Sequence, residues 1–520
     1  MSNYRMVVNP WPVILPSSSK TLRQPPRPAN LQQSGYLDKF DAKTVFYDVF
    51  RDGSDIVLSG PPLLNLQAIL ESTQLMDENG ARLRTTYGDL DRTQNSRVFD
   101  GSDSQFLSTS ISDIDISFPV APSLTELFAG RKVLFTKSKD NELTWIRDWA
   151  SFHVVHQGID ALLIYDNGST KYSAEDVLDC LRGIEGLETV VVVNWPFLFG
   201  PQGGNWEGLR NAPWDSDFCE YGILQHARYR FLQESYGVIH ADVDELVVSE
   251  DGRTVFEILE ASPAPVIGYT GRWIEAAGAG LAPVLRFKDF KYFDSRRART
   301  TPKWSALTEG INDAKQWKTH HVEGVATERT ESVLHRHFVG ISSNWKFDRT
   351  KQREVDAKHF VVDDRMVGLL ANPRLSNGRQ AQAGSPAPRI VESGNSGDVL
   401  LEVQKEIHAS GFLPQPVARE WYHTKAKLVF DYKWGDLRFA FDITNEDGEI
   451  VVQFLGRDKM SQDMVERILS TAGLDAPVGR QGKHTVLTLK ARVVGGGADV
   501  AKCMSCILNA ARNGGMSRVS

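Results

Sequence analysis

The chain of 520 residues contains only four cysteines, Cys180, Cys219, Cys503 and Cys506. Small proteins held together by disulfides carry many more for their length, so the sequence excludes a disulfide-built scaffold. Structural zinc sites usually need two Cys-x-x-Cys pairs or one such pair with histidines, and here one pair stands alone, Cys503 and Cys506. We therefore expect a reduced, cytoplasmic protein whose cysteines pack in its core.

Long apolar runs and an excess of basic charge are missing as well. No stretch approaches the roughly 18 apolar residues that a membrane-spanning helix needs, so we expect no membrane span. The 59 basic and 66 acidic residues leave a formal charge of −7, which argues against a nucleic-acid partner. With 41% hydrophobic and 24% charged residues, the composition is that of a globular protein with several domains of about 100–200 residues.

Composition and hydrophobic periodicity divide the chain into five segments. Residues 1–35 are rich in proline and serine and predict an extended arm. Residues 36–128 hold short apolar runs between turn residues, which predicts a β-rich N-terminal domain. Residues 129–371 alternate strands and helices, which predicts an α/β domain with a mostly parallel sheet flanked by helices. Residues 372–398 predict a linker, and residues 399–520 predict an α+β C-terminal domain.

Two carboxylates separated by one residue follow the apolar run YGVIHA in the α/β segment. These are Asp242 and Asp244, with Glu245 next. Ligands of open α/β sheets bind beyond the carboxyl ends of the strands, so we expect these acids to face a crevice. Carboxylates bind the hard cations that bridge phosphate oxygens. The pattern therefore predicts a cation and phosphate site, with a solvated acidic turn as the alternative.

Further polar residues stand at the ends of two earlier apolar runs. Lys137 follows the run VLFT, Glu142 begins the next predicted helix, and Asp166 and Asn167 follow the run ALLIY. Asp-Asn-Gly-Ser also has the composition of a tight turn. In a binding site, Asp166 would instead accept hydrogen bonds from a base or a ribose.

In this order, the motifs resemble the start of a GT-A glycosyltransferase domain, of the family-2-like and family-92-like kind, over about residues 131–350. The matching residues are Asn141, Glu142, Trp149, His153, Gly158, Tyr165, Asp166, Asn167 and Ser169, followed by Asp242, Asp244 and Glu245 as the DxD motif. The resemblance implies a GT-A type fold and a metal-dependent sugar transfer, as in polysaccharide biosynthesis. The donor would be a nucleotide-sugar, with a UDP-sugar expected first, and the acceptor a glycan or another hydroxyl compound. It also implies Mn²⁺ or Mg²⁺ as cofactor, and a homo-oligomer stays open.

Members of this fold often supply a late histidine as a third metal ligand, so the resemblance implies the set Asp242, Asp244 and His337. His335 and His321 are alternatives to His337. Two alternating histidines on one strand face can also form purely structural hydrogen bonds.

A basic segment, residues 288–303, follows the acidic motif. Cationic side chains stabilise the charge of a leaving diphosphate, although charged loops are often merely solvated. We expect Lys303 to bind the donor, and Trp304 next to it to stack on a sugar face. The predicted donor-binding set is Lys137, Glu142, Asp166, Asn167, Asp242, Lys303 and Trp304.

The resemblance favours an inverting transfer, which needs a carboxylate base near the acceptor hydroxyl. The candidates are Glu309, Asp313 and Glu275, in that order, because all three follow the acidic motif. A family-2-like Glu-Asp pair is missing from this part of the chain. Two other functions stay open: a non-catalytic carbohydrate-binding or scaffolding protein, and a metal-dependent phosphoesterase that uses the triplet His240-Ala241-Asp242.

Overall fold

The computed structural model describes residues 4–375, apart from residues 17–18, 102, 112–113, 207–208, 280–283, 342–354 and 356–357. Beyond residue 375 it describes only the backbone of strands between residues 420 and 489. Most of the predicted linker therefore lies outside the described residues, as do Cys503 and Cys506 and the predicted helices of the C-terminal domain.

The α/β part of the chain contains two sheets and five helices that matter for the site. In chain order the strands are β1 (Arg5–Val8), β2 (Lys132–Ser138), β3 (Ala161–Asp166), β4 (Thr189–Asn194), β5 (Gly237–His240), β6 (Glu245–Ser249), β7 (Val266–Tyr269), β8 (Gly271–Glu275), β9 (Tyr292–Asp294), β10 (Lys303–Leu307), β11 (Thr327–Arg329), β12 (Val333–Phe338) and β13 (Phe360–Val362). The helices are α1 (Leu143–Gln157), α2 (Ala174–Cys180), α3 (Phe218–Ala227), α4 (Val255–Ala261) and α5 (Asp364–Leu370). Two short hairpins pair Gly204–Trp206 with Leu209–Ala212 and Gln316–Trp317 with Val322–Glu323.

The central sheet has eight strands in the order β1-β4-β3-β2-β5-β10-β7-β11. The first five run parallel, whereas β10 runs antiparallel to both of its neighbours. Strands β3 and β4 are continuous apolar runs because separate hydrophobic clusters cover the two faces of the sheet. This mostly parallel sheet flanked by helices confirms the predicted α/β class.

Helix α1 shows how the helices are fixed to the sheet. Its side chains at helical spacing, Ile146, Trp149 and His153, are fully buried against the sheet. The helix ends at Gly158, which adopts the left-handed conformation with a φ of 65°. This end returns the chain to β3 after a short turn.

A second sheet, in the order β6-β12-β8-β9-β13, lies beyond the carboxyl end of β5. Strand β6 pairs antiparallel with β12, and β12 pairs parallel with β8. The short turn after β5 carries the predicted acidic motif, and β6 begins at Glu245. The acids thus lie where the two sheets meet.

The N-terminal part is rich in β-strands, as predicted, and has its own hydrophobic cluster. One sheet contains Asp48–Asp52, Asp55–Ser59, Ser96–Phe99 and Arg84–Thr86, and another contains Ile114–Pro119, Phe106–Ile111 and Met76–Asp77. Two-stranded pairs join Val13–Ile14 to Thr44–Phe46 and Asp89–Leu90 to Thr93–Gln94, and short helices span Tyr36–Lys39 and Asn65–Ser72.

Several described residues of the segment 1–35, the predicted extended arm, contact the rest of the chain. Strand β1 extends the central sheet by pairing with β4. The buried guanidinium of Arg23 donates to the backbone carbonyls of Pro62, Asp41 and Thr44 at 2.6–2.7 Å. Backbone carbonyls are the partners here, so composition alone does not reveal that this segment is fixed.

The described strands of the C-terminal part form a six-stranded antiparallel sheet. They are Glu420–His423, Lys427–Trp434, Leu437–Glu446, Glu449–Arg457, Val478–Gln481 and His484–Leu489. None of the helices in the described part of the chain is long and apolar enough to cross a membrane.

Candidate functional site

The site lies where the strand order of the central sheet reverses. Strands β4, β3 and β2 are placed in reverse chain order, and β5 then lies on the other side of β2. In open α/β sheets this reversal opens a crevice at the carboxyl ends of the two strands. Lys137 stands near the end of β2, and Asp242 follows β5. Strand β10 runs in the opposite direction, so its first residue, Lys303, reaches the same edge.

Two lysines hold the carboxylate of Asp242 between them. The Nζ of Lys137 lies 3.2 Å from Oδ1 of Asp242, and the Nζ of Lys303 lies 2.5 Å from its Oδ2. Each lysine also contacts a second acid: Lys137 lies 2.7 Å from Glu220, and Lys303 lies 3.1 Å from Glu245. The side chain of Asp242 remains 29% exposed, so solvent reaches the centre of this group.

These contacts keep all the groups charged. Burial acts to raise the pKa of Asp242, but Lys137 and Lys303 hold it well below its ordinary value. Burial would lower the pKa of each lysine, and the neighbouring carboxylates raise it instead. The edge of the sheet thus presents ammonium groups and carboxylates side by side.

His337 joins the other end of the acidic motif. In the antiparallel pair β6 and β12, Glu245 stands directly opposite His337. The Nδ1 of His337 lies 3.1 Å from Oε1 of Glu245, and its Nε2 lies 3.2 Å from Oδ2 of Asp244. Burial favours the neutral ring, but the two carboxylates raise the pKa of His337 to about 10. A cation bound to these carboxylates would compete with that proton.

Of the other two histidines considered, the structure brings only one near the site. His335 is buried and lies two residues before His337 on β12. Its Nε2 lies 2.7 Å from the hydroxyl of Thr300 and 3.6 Å from Glu245. Burial lowers its pKa to about 4. His321 is exposed in the hairpin after β10, where its backbone carbonyl accepts a hydrogen bond from Lys318.

The donor set fits a divalent cation. Ligand atoms of Glu245, His335 and His337 lie within 4.8 Å of one another, and Asp244 contacts His337. Nδ1 of His335 is buried without a hydrogen-bond partner among the described residues. Carboxylate oxygens suit Mg²⁺ and Mn²⁺, and an imidazole nitrogen suits softer divalent ions. The four carboxylates, including Glu220, outnumber the two lysines, so the group can accept more positive charge.

Glu275 is the one predicted base that the structure places beside this group. In the parallel pair β8 and β12, Trp273 stands opposite His337, with 4.3 Å between the ring centroids. Glu275 lies two residues further along β8 and therefore on the same face. The guanidinium of Arg297 lies 4.2 Å from the ring of Trp273 and donates to Glu275 at 2.6 Å.

Glu309 and Asp313 are not brought to this edge. Leu307, at the end of β10, pairs with Gly237 at the start of β5, so both acids follow the opposite end of the sheet. The length of β10 alone separates the two ends by about 13 Å at roughly 3.3 Å per residue. The antiparallel direction of this one strand explains the difference from the sequence-based expectation.

Trp304 does not line the site either. Adjacent strand residues point to opposite faces, so Lys303 and Trp304 face different ways. Trp304 is fully buried, its ring lies 5.5 Å from that of Trp317, and its indole N–H donates to the carbonyl of Lys318 at 2.8 Å. It packs in the core rather than against a sugar.

The predicted nucleoside contacts lie at the same edge but serve the local turns. Asp166 is buried, accepts hydrogen bonds from the backbone N–H and the hydroxyl of Ser169, and has its pKa raised to about 6 by burial. The amide of Asn167 donates to the carbonyls of Trp195 and Phe197 at 2.9 Å. Glu142 precedes α1 and pairs with Lys171 at 3.0 Å.

The sequence did not point to Glu220 as a member of the site, and it gave Arg297 only as one of several residues of the basic segment that could bind a diphosphate. Glu220 lies in the first turn of α3 and pairs with Lys137. A helix that follows a parallel strand starts near the carboxyl edge of the sheet, and this rule could have pointed to Glu220. Nothing in the local sequence distinguishes Arg297 from the other arginines of its loop.

Neither a protein-family model nor a curated protein matches the sequence. Among solved structures, S. aureus TarS 1-349 in complex with UDP is 10% identical, with a TM-score of 0.23, over 40% of this chain and 60% of that chain. A longer structure of S. aureus TarS is also 10% identical, with a TM-score of 0.23, over 69% of this chain and 72% of that chain. Scores this low do not establish a shared fold.

Proposed function

We propose that this chain is a metal-dependent glycosyltransferase that moves a sugar from a nucleotide-sugar donor, a UDP-sugar first, to a glycan or another hydroxyl acceptor. The observation that carries the proposal is the meeting of Lys137, Lys303 and the acidic motif with His337 at the reversal point of the sheet. Anionic ligands with bound cations need both kinds of group, because the cation requires carboxylates and the phosphate oxygens require ammonium groups.

The roles follow from position. Asp242, Asp244 and His337 would hold Mn²⁺ or Mg²⁺, which supplies charge neutralisation to a departing diphosphate when it is bound. The ammonium groups of Lys137 and Lys303 would bind phosphate oxygens at the same edge, because their Nζ atoms already converge on one carboxylate. Buried donors that are fixed before the reaction stabilise developing negative charge more effectively than solvent does.

Glu275 is our proposed base for an inverting transfer. Its carboxylate lies on the face of the second sheet that carries His337, and Arg297 fixes its position. A single displacement at the anomeric carbon inverts the configuration, and the attacking hydroxyl must lose its proton in that step. Replacing Glu275 with Gln should lower turnover by roughly 10²–10⁴-fold and leave nucleotide affinity unchanged. Retention of the donor's anomeric configuration in the product, measured by NMR, would contradict this role.

The function itself is tested by metal-dependent release of nucleoside diphosphate from a panel of nucleotide-sugars. Wild-type protein should release it with Mn²⁺, and Asp244→Asn should not, while both keep the same melting temperature. Asp251→Asn is the matched control, because Asp251 is an exposed acid beyond the far end of β6 that pairs with Arg253. Full release by Asp244→Asn, or by wild-type protein in excess chelator, would rule out the proposed metal dependence.

A phosphoesterase built on His240 and Asp242 is not favoured. His240 is buried and stacks on Phe135, with 5.3 Å between the ring centroids, and burial lowers its pKa to about 3. Its neighbour Asp242 faces the lysines instead. A non-catalytic carbohydrate-binding protein would bind the same ligands, and the release assay separates it from an enzyme.

A further inference from the structure

The charged groups of the site form one continuous series in which acid and base alternate. We call this series the charge ladder. In spatial order it consists of Glu220, Lys137, Asp242, Lys303, Glu245, His337 and Asp244. Neighbouring members lie between 2.5 and 3.2 Å apart.

Asp242, in the middle of the charge ladder, has both oxygens engaged by ammonium groups. Lys137 contacts Oδ1 and Lys303 contacts Oδ2. Like charges a few ångströms apart repel strongly at a partly buried site. A divalent cation therefore binds the Asp242 carboxylate more tightly when one of the lysines moves away from it.

Lys137 is the more exposed of the two lysines and has the longer contact to Asp242. Its side chain is 19% exposed, whereas that of Lys303 is 3% exposed and is fixed between Asp242 and Glu245. Glu220 holds the Nζ of Lys137 at 2.7 Å, closer than Asp242 does. When Lys137 leaves Asp242 it therefore keeps one carboxylate partner and can point its remaining N–H groups to another anion.

We propose that Lys137, positioned by Glu220, couples cation binding to diphosphate binding. In the free protein Lys137 covers Oδ1 of Asp242 and opposes the cation, and a diphosphate draws Lys137 away and exposes this oxygen. Coupling of this kind is reciprocal, so each ligand strengthens the binding of the other by the same factor. The inference rests on the proposed function for the identity of the anion, but the cover on Asp242 is independent of it.

The test measures Mn²⁺ affinity by electron paramagnetic resonance, with no nucleotide present. Lys137→Met should bind Mn²⁺ at least about tenfold more tightly than wild-type protein, since a competing charge has been removed next to Asp242. UDP should tighten Mn²⁺ binding to wild-type protein, and this gain should be smaller in Lys137→Met, which keeps only the direct attraction between the cation and the diphosphate. The double variant Lys137→Met/Glu220→Gln, which removes the acid left without its lysine, should behave in the same way if the single variant folds poorly.

Lys315→Met is the matched control, because Lys315 forms an exposed ion pair with Glu323 at 2.6 Å in the hairpin after β10. Unchanged or weaker Mn²⁺ binding in both Lys137 variants would overturn the proposal, as would an equal gain in Lys315→Met. The same measurements distinguish a failure of the Lys137 proposal from a failure of the proposed nucleotide-sugar donor. Tighter Mn²⁺ binding in Lys137→Met without any UDP binding would support the cover on Asp242 and refute the proposed donor. Turnover of a UDP-sugar without tighter Mn²⁺ binding in Lys137→Met would support the donor and refute the cover.

Discussion

Two groups of buried charges in this molecule look alike in composition and differ in what they can do. In the first, the carboxylate of Asp48 contacts Arg230 and lies 2.8 Å from Nε2 of His226, whose Nδ1 lies 2.7 Å from the hydroxyl of Tyr165. This group joins a strand of the N-terminal part to helix α3 and the turn that continues it. The second is the charge ladder at the edge of the central sheet.

The Asp48 group is closed and balanced. The carboxylate of Asp48 is 0% exposed, and the guanidinium of Arg230 balances its charge. Burial lowers the pKa of His226 and keeps its ring neutral. In the charge ladder, Asp242 is 29% exposed although both of its oxygens contact lysines, and the carboxylates outnumber the lysines. Burial of charge therefore does not mark a site by itself. A binding site is indicated by a partly exposed carboxylate in a group where carboxylates outnumber the lysines.

The largest effect should come from breaking the closed group. Asp48→Asn leaves the buried Arg230 without its counter-charge and should lower the free energy of unfolding by about 3–5 kcal/mol. Asp242→Asn should lower it by less than about 1 kcal/mol, because Lys137 and Lys303 each keep another acid. Urea unfolding of both variants measures the difference. Equal losses would show that the charge ladder is a structural network as well.

The buried side chain of His153 should have a second, smaller effect on stability, seen in its pH dependence. Its Nδ1 contacts the carbonyl of Trp149 at 2.8 Å, and its Nε2 accepts a hydrogen bond from the N–H of Val247 at 3.2 Å. Burial lowers the pKa of His153 to about 4, below the value of 6.5 expected in the unfolded chain. The unfolded state therefore takes up the proton first, and stability is lost as the pH falls from about 6.5 to about 4.

The shift corresponds to about 3 kcal/mol of stability at neutral pH relative to pH 4, since one pKa unit is about 1.4 kcal/mol. In His153→Gln this contribution to the pH dependence should vanish, so the stability difference between pH 7 and pH 4.5 should be smaller than in wild-type protein. His321→Gln, in the exposed hairpin, should leave it unchanged. An identical pH dependence in His153→Gln and wild-type protein would refute this account of the buried ring.

The smallest effect is expected at the opposite edge of the central sheet. Glu309→Ala and Asp313→Ala should each change turnover less than about twofold, because both acids follow the far end of β10 and a general base must reach the reacting hydroxyl. Steady-state kinetics with the best donor of the panel measures this. A loss of turnover as large as that of Glu275→Gln would show that the base is Glu309 or Asp313 and not Glu275.

The sequence was informative wherever a strand end determines position. Lys137 and Asp242 each follow an apolar run, and the carboxyl ends of parallel strands share one edge, so their meeting could be expected. Alternation along a strand could also have separated Lys303 from Trp304. The direction of β10 could not be read from its residues, and this direction carried Glu309 and Asp313 away from the site. The contact of Arg297 with Glu275 likewise has no local signal in the sequence.

The central claim is that the end of the charge ladder formed by His337 and Asp244 binds a cation, together with a nucleoside diphosphate beside the lysines. A crystal structure of the protein with Mn²⁺ and UDP, with the anomalous signal of manganese recorded, tests it most directly. Our account predicts one anomalous peak within coordination distance of Asp244 and His337, with the diphosphate beside Lys137 and Lys303. Bound UDP without a peak there, or a peak whose ligands include neither residue, would contradict it.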